Sequence, residues 1–180
     1  MQAKLHELFS RIDIIERRLC ILLNATSQRA VIQFFFRIVS RMGDGVFWYT
    51  LIALIPYLHA EEGFYQLAHI MVTATCALLV YKFLKNRLVR ERPFINCEII
   101  QPAAPALDRY SFPSGHTMHA FLFSIMLSYY LPQVALLAWI FTGLVALSRV
   151  VLGLHYPTDV LAGALLGSVL ALTSLLVITV

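Results

Sequence analysis

The sequence predicts an all-α fold: a multi-pass transmembrane helical bundle of about five or six spans, preceded by N-terminal amphipathic helices. Three observations carry this. Hydrophobic residues make up 59% of the 180 residues and charged residues only 13%. A soluble domain carries about 25% charged and about 45–50% apolar residues, so the solvent for this chain is lipid. Mean hydropathy is +0.75, and the apolar residues fall in runs separated by short polar breaks, with about 20 residues needed per span. This composition excludes a soluble globular domain and excludes disorder. Cys20, Cys76 and Cys97 are an odd set, two of them in apolar or amphipathic stretches, and read as packing residues and not as a disulfide scaffold.

The elements follow in chain order as one membrane-embedded domain over 1–180, with interfacial helices in 1–42 and a transmembrane core in 46–180. Residues 4–22 place Leu5, Leu8, Phe9, Ile12, Ile15, Leu19 and Leu22 at helical intervals. Residues 27–42 repeat the pattern with Val31, Phe34, Phe35, Ile38 and Met42 against Arg29, Gln33, Arg37 and Arg41. Both are read as helices lying along the membrane. A span over 19–42 would carry Arg29 and Arg37, each costing roughly 2.5–3.5 kcal/mol near the bilayer centre unless it faces protein. No cleavable signal peptide is visible, because charges are mixed through Met1 to Arg18. Gly43-Asp44-Gly45 breaks the helix, an apolar run follows over 46–59, and a polar turn at Glu61-Glu62-Gly63 separates it from a second run over 64–84. The one long polar segment, Lys85 to Tyr110, precedes runs over 115–131, 133–152 and 157–180, the first two joined by a short break at Pro132 that implies an antiparallel hairpin.

Because crossing helices alternate in direction, Lys85, Arg92, Ser114, His116, Arg149, His155 and Asp159 collect at one face of the membrane. Their chemistry suits a phosphate ester. Lys85, Arg92 and Arg149 can neutralise phosphoryl oxygens, the arginines two at a time. Ser114 is a natural N-cap whose helix start offers free amides to an anion, and Gly115 allows close approach. Pro157 suits the first turn of the last helix and puts Asp159 near its N-terminus. One imidazole can attack phosphorus while a carboxylate orients it, and a second can protonate the leaving alkoxide. His155 and Asp159 are four apart, within reach across a helical turn, which leaves His116 for the acid.

Lys85-x6-Arg92-Pro93, Pro113-Ser114-Gly115-His116 and Ser148-Arg149-x5-His155-x3-Asp159 together resemble the three-part signature of the type 2 phosphatidic acid phosphatase superfamily. That group takes in membrane lipid phosphate phosphatases, glucose-6-phosphatase and the vanadium haloperoxidases. All three parts match in order. The resemblance implies that His155 is the nucleophile of a phosphohistidine, Asp159 its orienting partner and His116 the general acid, with Lys85, Arg92, Ser114, Gly115 and Arg149 holding phosphate. It further implies a phosphorylated lipid substrate and neither metal nor cofactor. The charged N-terminus departs from members that open on a clear span. Two other classes fit the same pattern: a vanadate-dependent haloperoxidase and a non-catalytic lipid-phosphate binding or transport protein.

Further polar residues have simpler readings. His116 and His119 are three apart, yet His119 falls deeper in an apolar helix and reads as a hydrogen-bonded core residue, not a metal ligand. Asp44, in the Gly-Asp-Gly break, reads first as a turn or cap residue, with contact to the site as the alternative because parity puts it on the same side. Arg87, Arg90 and Arg109 are either headgroup contacts or a solvated loop face, Tyr110 a pocket or interface residue, and Trp48 and Trp139 membrane packing or interfacial residues. Net charge is +4 and the pI about 9.1, but the cations cluster where lipid headgroups or a phosphorylated ligand would lie, so no nucleic acid is expected. The opposite face, with Ala60 to Gly63 and the Pro132 turn, has no Lys or Arg. The positive-inside rule then favours a cytoplasm-facing site in the cell (inner) membrane, whereas the family resemblance, and a span over 19–42, would favour an outward one.

Overall fold

The structure is a computed structural model describing residues 2–106 and 108–179, with side chains from Asp13 to Ile178. The stripe positions Leu5, Leu8, Phe9 and Ile12 lie outside the described side chains. The chain is all-helical: α1 (Gln2–Thr26), α2 (Ala30–Gly43), α3 (Val46–Arg87), the single turn α4 (Pro93–Asn96), α5 (Gly115–Tyr130), α6 (Ala135–Val151) and α7 (Pro157–Thr179). Among the described residues the only β pairing is an isolated bridge between Glu91 and Tyr110. Helices Val46–Arg87, Pro132–Val151 and Pro157–Ile178 are long and apolar enough to cross a membrane; the bent pair Asp13–Thr26 and Ala30–Gly43, turning by 110°, makes a fourth if it counts as one span.

α3 differs from the expected pair of runs in where it turns. The break is one residue, Ala60, at φ 45, and Glu61-Glu62-Gly63 are already helical. A Cβ on Gly63 would lie 2.5 Å from Cα of Pro56 and 2.8 Å from the Ile55 carbonyl oxygen, so only glycine permits the two halves to approach this closely. His59 Nδ1 and Gln66 Oε1 close the turn at 2.6 Å. The chain doubles back here, because Gly45 before α3 and Tyr81 near its end line the same cavity.

The core forms where both halves of α3 meet α5, α6 and α7, around Ile52, Ile55, Ile70, Met118, Leu122, Met126 and Val145. Trp48 is fully buried there, which makes it a core residue and not an interfacial one. Packing is closest between α5 and α7. Gly163 and Gly167, four apart and so on one helix face, press on α5 backbone: a Cβ on Gly163 would meet the Ser114 carbonyl and one on Gly167 the Met118 carbonyl. Small residues at such spacing let membrane helices pack by direct backbone contact. The α5–α6 hairpin turns through a 3-10 turn, Pro132–Val134, and is tied by Ser124 to Thr142 at 2.6 Å. Large apolar side chains face outward, among them Tyr57, Phe64, Leu136 and Val177; such a belt is stable only against lipid.

α1 and α2 lie against the site end of this bundle. Asn24 donates to the Val151 and Gln101 carbonyls, both at 3.0 Å, and accepts from the Gln101 amide at 2.9 Å. Arg37, which is exposed, donates through Nε to the Ala103 carbonyl.

Gly167→Val is expected to force α5 and α7 apart and cost roughly 1–3 kcal/mol, the usual range for overpacking. At Gly143 an added Cβ would meet nothing within 4 Å, so Gly143→Ala leaves the thermal midpoint in detergent level or slightly raised. Equal midpoints for the two variants would contradict this packing.

Candidate active site

The three motif segments converge at one end of the bundle, and local geometry explains how. Ser114 is the N-cap of α5 and accepts from the Thr117 amide at 3.5 Å, while its own amide donates to the Asp159 carbonyl at 3.0 Å. A Cβ on Gly115 would lie 2.9 Å from the Tyr81 ring. α6 ends in a Schellman turn at Gly153, which sits at φ 73. The Leu154 amide donates to the Arg149 carbonyl at 3.0 Å and the Gly153 amide to Val150 at 2.9 Å. The His155 amide then also reaches the Arg149 carbonyl, at 3.1 Å. That turn is the reason five residues separate Arg149 from His155, and it makes Gly153 part of the site's framework. A glycine one residue beyond an apolar helix is its sequence signal.

Lys85, Arg92, Ser114, Arg149, His155 and Asp159 are all buried. Asp159 turns Oδ2 to the Tyr156 amide at 2.8 Å and to His155 Nδ1 at 3.8 Å. The latter is longer than a hydrogen bond, so Nδ1 has no partner among the described residues. Burial pushes the His155 imidazolium down to about 3, so the ring is neutral, the form in which a histidine has a lone pair to give. Arg149 donates to Ser40 Oγ at 2.5 Å, and its Nε has no partner among the described residues.

Two carboxylates not assigned to the site from sequence are in it. Asp44, read above first as a turn or cap residue, accepts from His116 Nε2 at 2.5 Å. That hydrogen bond outweighs partial burial and holds the Asp44 carboxyl below the ordinary range. Asp108, in the long loop, forms an ion pair with Lys85 Nζ at 2.9 Å and accepts from Arg92 at 2.7 Å and the Tyr81 hydroxyl at 2.7 Å. Burial works to raise its carboxyl, and the bonds from Lys85, Tyr81 and Arg92 together overcome it and hold it low. Arg92 also donates to the Leu154 carbonyl at 2.7 Å. Asp108 thus occupies two of the three cations assigned to phosphate.

Of the three further arginines, Arg90 is a clamp inside the protein: it donates to Asp159 Oδ1 at 2.7 Å and to Glu16 at 2.7 Å. Arg87 and Arg109 are exposed, each over a neighbouring aromatic ring at 5.6 and 5.8 Å. Tyr110 pairs its backbone with Glu91. His119 Nδ1 meets the Gly115 carbonyl at 3.0 Å. Among the described residues no three His, Cys, Asp or Glu side chains converge to hold a metal. Two cavities share the Asp44–His116 pair. One of about 280 Å³ is aromatic, lined by Trp48, Tyr49, Tyr81 and Phe123; the other, of about 430 Å³, has Arg37, Arg41, Arg149 and Ser40 beside Phe34 and Ile38.

A helical membrane domain with buried cations, a capped helix start and a histidine–carboxylate pair at one end defines a class of anion-handling membrane protein. This chain belongs to the PAP2 superfamily, whose family model matches residues 66–179. Phosphatidylglycerophosphatase B of Bacillus subtilis is 34% identical over 67% of this chain and 64% of its own length. An undecaprenyl-diphosphatase of Sulfolobus acidocaldarius is 32% identical over 55% of this chain and 48% of its own, so the chain spans less than two thirds of either relative. Bacitracin transport permease protein BcrC of Bacillus licheniformis is 40% identical over 76% of this chain and 75% of its own. The fold is shared with Aquifex aeolicus LpxE, at TM-score 0.74 and 24% identity, covering 88% of this chain and 93% of that one. It is likewise shared with the transmembrane PAP2-type phosphatidylglycerolphosphate phosphatase of Bacillus subtilis, at TM-score 0.75 and 23% identity, covering 94% and 87%.

Because Asp44 and Asp108 ionise below the ordinary ~3.9, the stability they contribute is complete above that value and is lost as pH falls through their lowered values. The thermal midpoint in detergent is therefore expected to stay level down to about pH 4 and drop below it, with Asp108→Asn flattening the drop. The same variant frees Lys85 and Arg92, so orthophosphate is expected to bind it about tenfold more tightly, the worth of one charge-assisted hydrogen bond. Weaker phosphate binding would contradict the assignment of those cations.

Proposed function

We propose that this protein is a membrane lipid phosphatase that hydrolyses a phosphate monoester or diphosphate on a lipid carrier through a phosphohistidine. The carrier would be of the phosphatidic acid, phosphatidylglycerol phosphate or polyprenyl diphosphate class. The observation that carries the reading is the joining of Arg149, His155 and Asp159 by one Schellman turn and one helix start, beside the Lys85–Arg92 pair. The substrate's phosphoryl group replaces Asp108 on Lys85 and Arg92 and takes the free face of Arg149 and the amides at the start of α5. Neutral His155 attacks phosphorus through Nε2, and the developing positive charge draws Nδ1–H from 3.8 Å into a hydrogen bond with Asp159. The P–O bond to the lipid breaks as His116 gives the leaving oxygen its proton. Water then attacks the phosphohistidine with His116 as base, which releases orthophosphate and restores both histidines. Preorganised cations and amides oppose the charge that builds on the phosphoryl oxygens. The names of two relatives support hydrolysis; none supports halide oxidation. The transport reading has one similarly named relative, and it predicts binding without phosphate release.

We propose five crossings: 46–59, 61–87, α5, α6 and α7, with α1 and α2 lying along the interface. The segments 46–59 and α5 rise about 21 and about 24 Å, short of a hydrocarbon core of about 30 Å, so the site sits at headgroup depth where a lipid phosphate lies. Contacts of Asn24, Arg37, Ser40 and Asp44 with the site end favour this layout. With α1 and α2 on the site side, all fourteen Lys and Arg lie on or near one face, which the positive-inside rule assigns to the cytoplasm. The membrane is the cell (inner) membrane.

Purified protein is expected to release orthophosphate from a panel of lipid phosphates, with vanadate inhibiting as a mimic of five-coordinate phosphorus. His155→Ala is expected to abolish release while keeping the wild-type elution profile in detergent. Near-normal release from that variant, or full insensitivity to vanadate, would refute the assignment.

A further inference from the structure

We propose that Glu16, on the N-terminal helix, is a positioning residue for the nucleophile, acting through Arg90 on Asp159; the inference rests on the phosphohistidine reading. Glu16 is 4% exposed, and it lies outside the stretch that the family model matches. Both of its oxygens are used. Oε1 accepts from the Thr158 amide at 2.8 Å, and Oε2 from Arg90 at 2.7 Å. The other arm of the Arg90 guanidinium donates to Asp159 Oδ1 at 2.7 Å and to Thr158 Oγ1 at 2.7 Å, and the group lies 4.0 Å over the Tyr156 ring.

This chain does two things to Asp159. Fixing Oδ1 on Arg90 sets the plane of the carboxylate, and with Oδ2 already on the Tyr156 amide at 2.8 Å that oxygen is aimed at His155 Nδ1. Glu16 also balances the charge. Arg90 alone would cancel Asp159 and leave it a poor partner for the imidazolium that forms during attack. With Glu16 paired to its far arm, Arg90 is shared, and the three groups together keep one net negative charge beside His155. Asp13, the other carboxylate near Arg90, is 3.9 Å away and mostly exposed, so it does not serve in place of Glu16. A residue needed only to fasten α1 to the bundle would be as well served by an apolar side chain, since buried charge pairs bring little net stability over well-packed hydrophobic ones.

Glu16→Gln keeps an acceptor for the Thr158 amide and removes the charge. Its kcat on a lipid phosphate is expected to fall about tenfold, as when a supporting partner of a reactive group is lost, with KM within about twofold and the acid limb of the pH–rate profile moved to lower pH. Glu16→Asp, which retains the charge, recovers part of the rate. Arg90→Lys loses the fork and lowers kcat as well, and combining it with Glu16→Gln costs less than the product of the two. An unchanged kcat and profile in Glu16→Gln, or a loss confined to the thermal midpoint, overturns the proposal. If Glu16→Gln does not fold, additive rate losses in Glu16→Asp and Arg90→Lys overturn it instead. Wild-type turnover carried by a residue other than His155 would overturn the functional reading itself, a result separate from any of these.

Discussion

Charge balance at one end of an apolar bundle is the constraint on which the rest depends. Lys85, Arg90, Arg92 and Arg149 are held where water is scarce, and an unpaired buried charge costs several kcal/mol. Three of the four have a carboxylate: Asp108 faces Lys85 and Arg92, and Glu16 and Asp159 divide Arg90. Arg149 has a hydroxyl, from Ser40, and no carboxylate among the described residues. Of these four cations the one without a carboxylate stands beside His155, and in the proposed reaction the substrate's phosphoryl group completes the balance there. Asp108 is the internal anion that pairs with the other two cations assigned to phosphate.

Much of this was legible in the sequence, for a definite reason. The residues assigned to phosphate lie next to helix ends, and helix ends have local signals: Ser114 before an apolar run, Pro157 at a first turn, Arg149 in a last one. Parity then brings them to one face without any knowledge of contacts. The carboxylates were less legible because each acts across the chain. Asp44 works on His116 seventy-two residues away, and Asp108 lies in a loop with no periodicity to report its direction. Glu16 shares its helix with Arg17 and Arg18, which are exposed; a polar face gives no sign of which member will be covered. Ala60 carried no turn signal at all, and the reversal there depends on the closeness that Gly63 allows.

The N-terminal helices join the two halves of the account. They cover the site end, with α2 lending Arg37 and Arg41 to the basic cavity and Ser40 to Arg149. The aromatic cavity lies on the other side of the Asp44–His116 pair. In the proposed reaction His116 faces the leaving oxygen, so the lipid stem and the headgroup have different surroundings on its two sides.

The central claim is that phosphorus is transferred to one particular imidazole, and it can be read directly. Protein mixed with a radiolabelled lipid phosphate and quenched in alkali, where phosphohistidine survives, can be digested and its labelled peptide sequenced. The account predicts label on His155, appearing within the first turnover and chased by unlabelled substrate. Steady phosphate release with no label on the protein, or with label on any other residue, would contradict it.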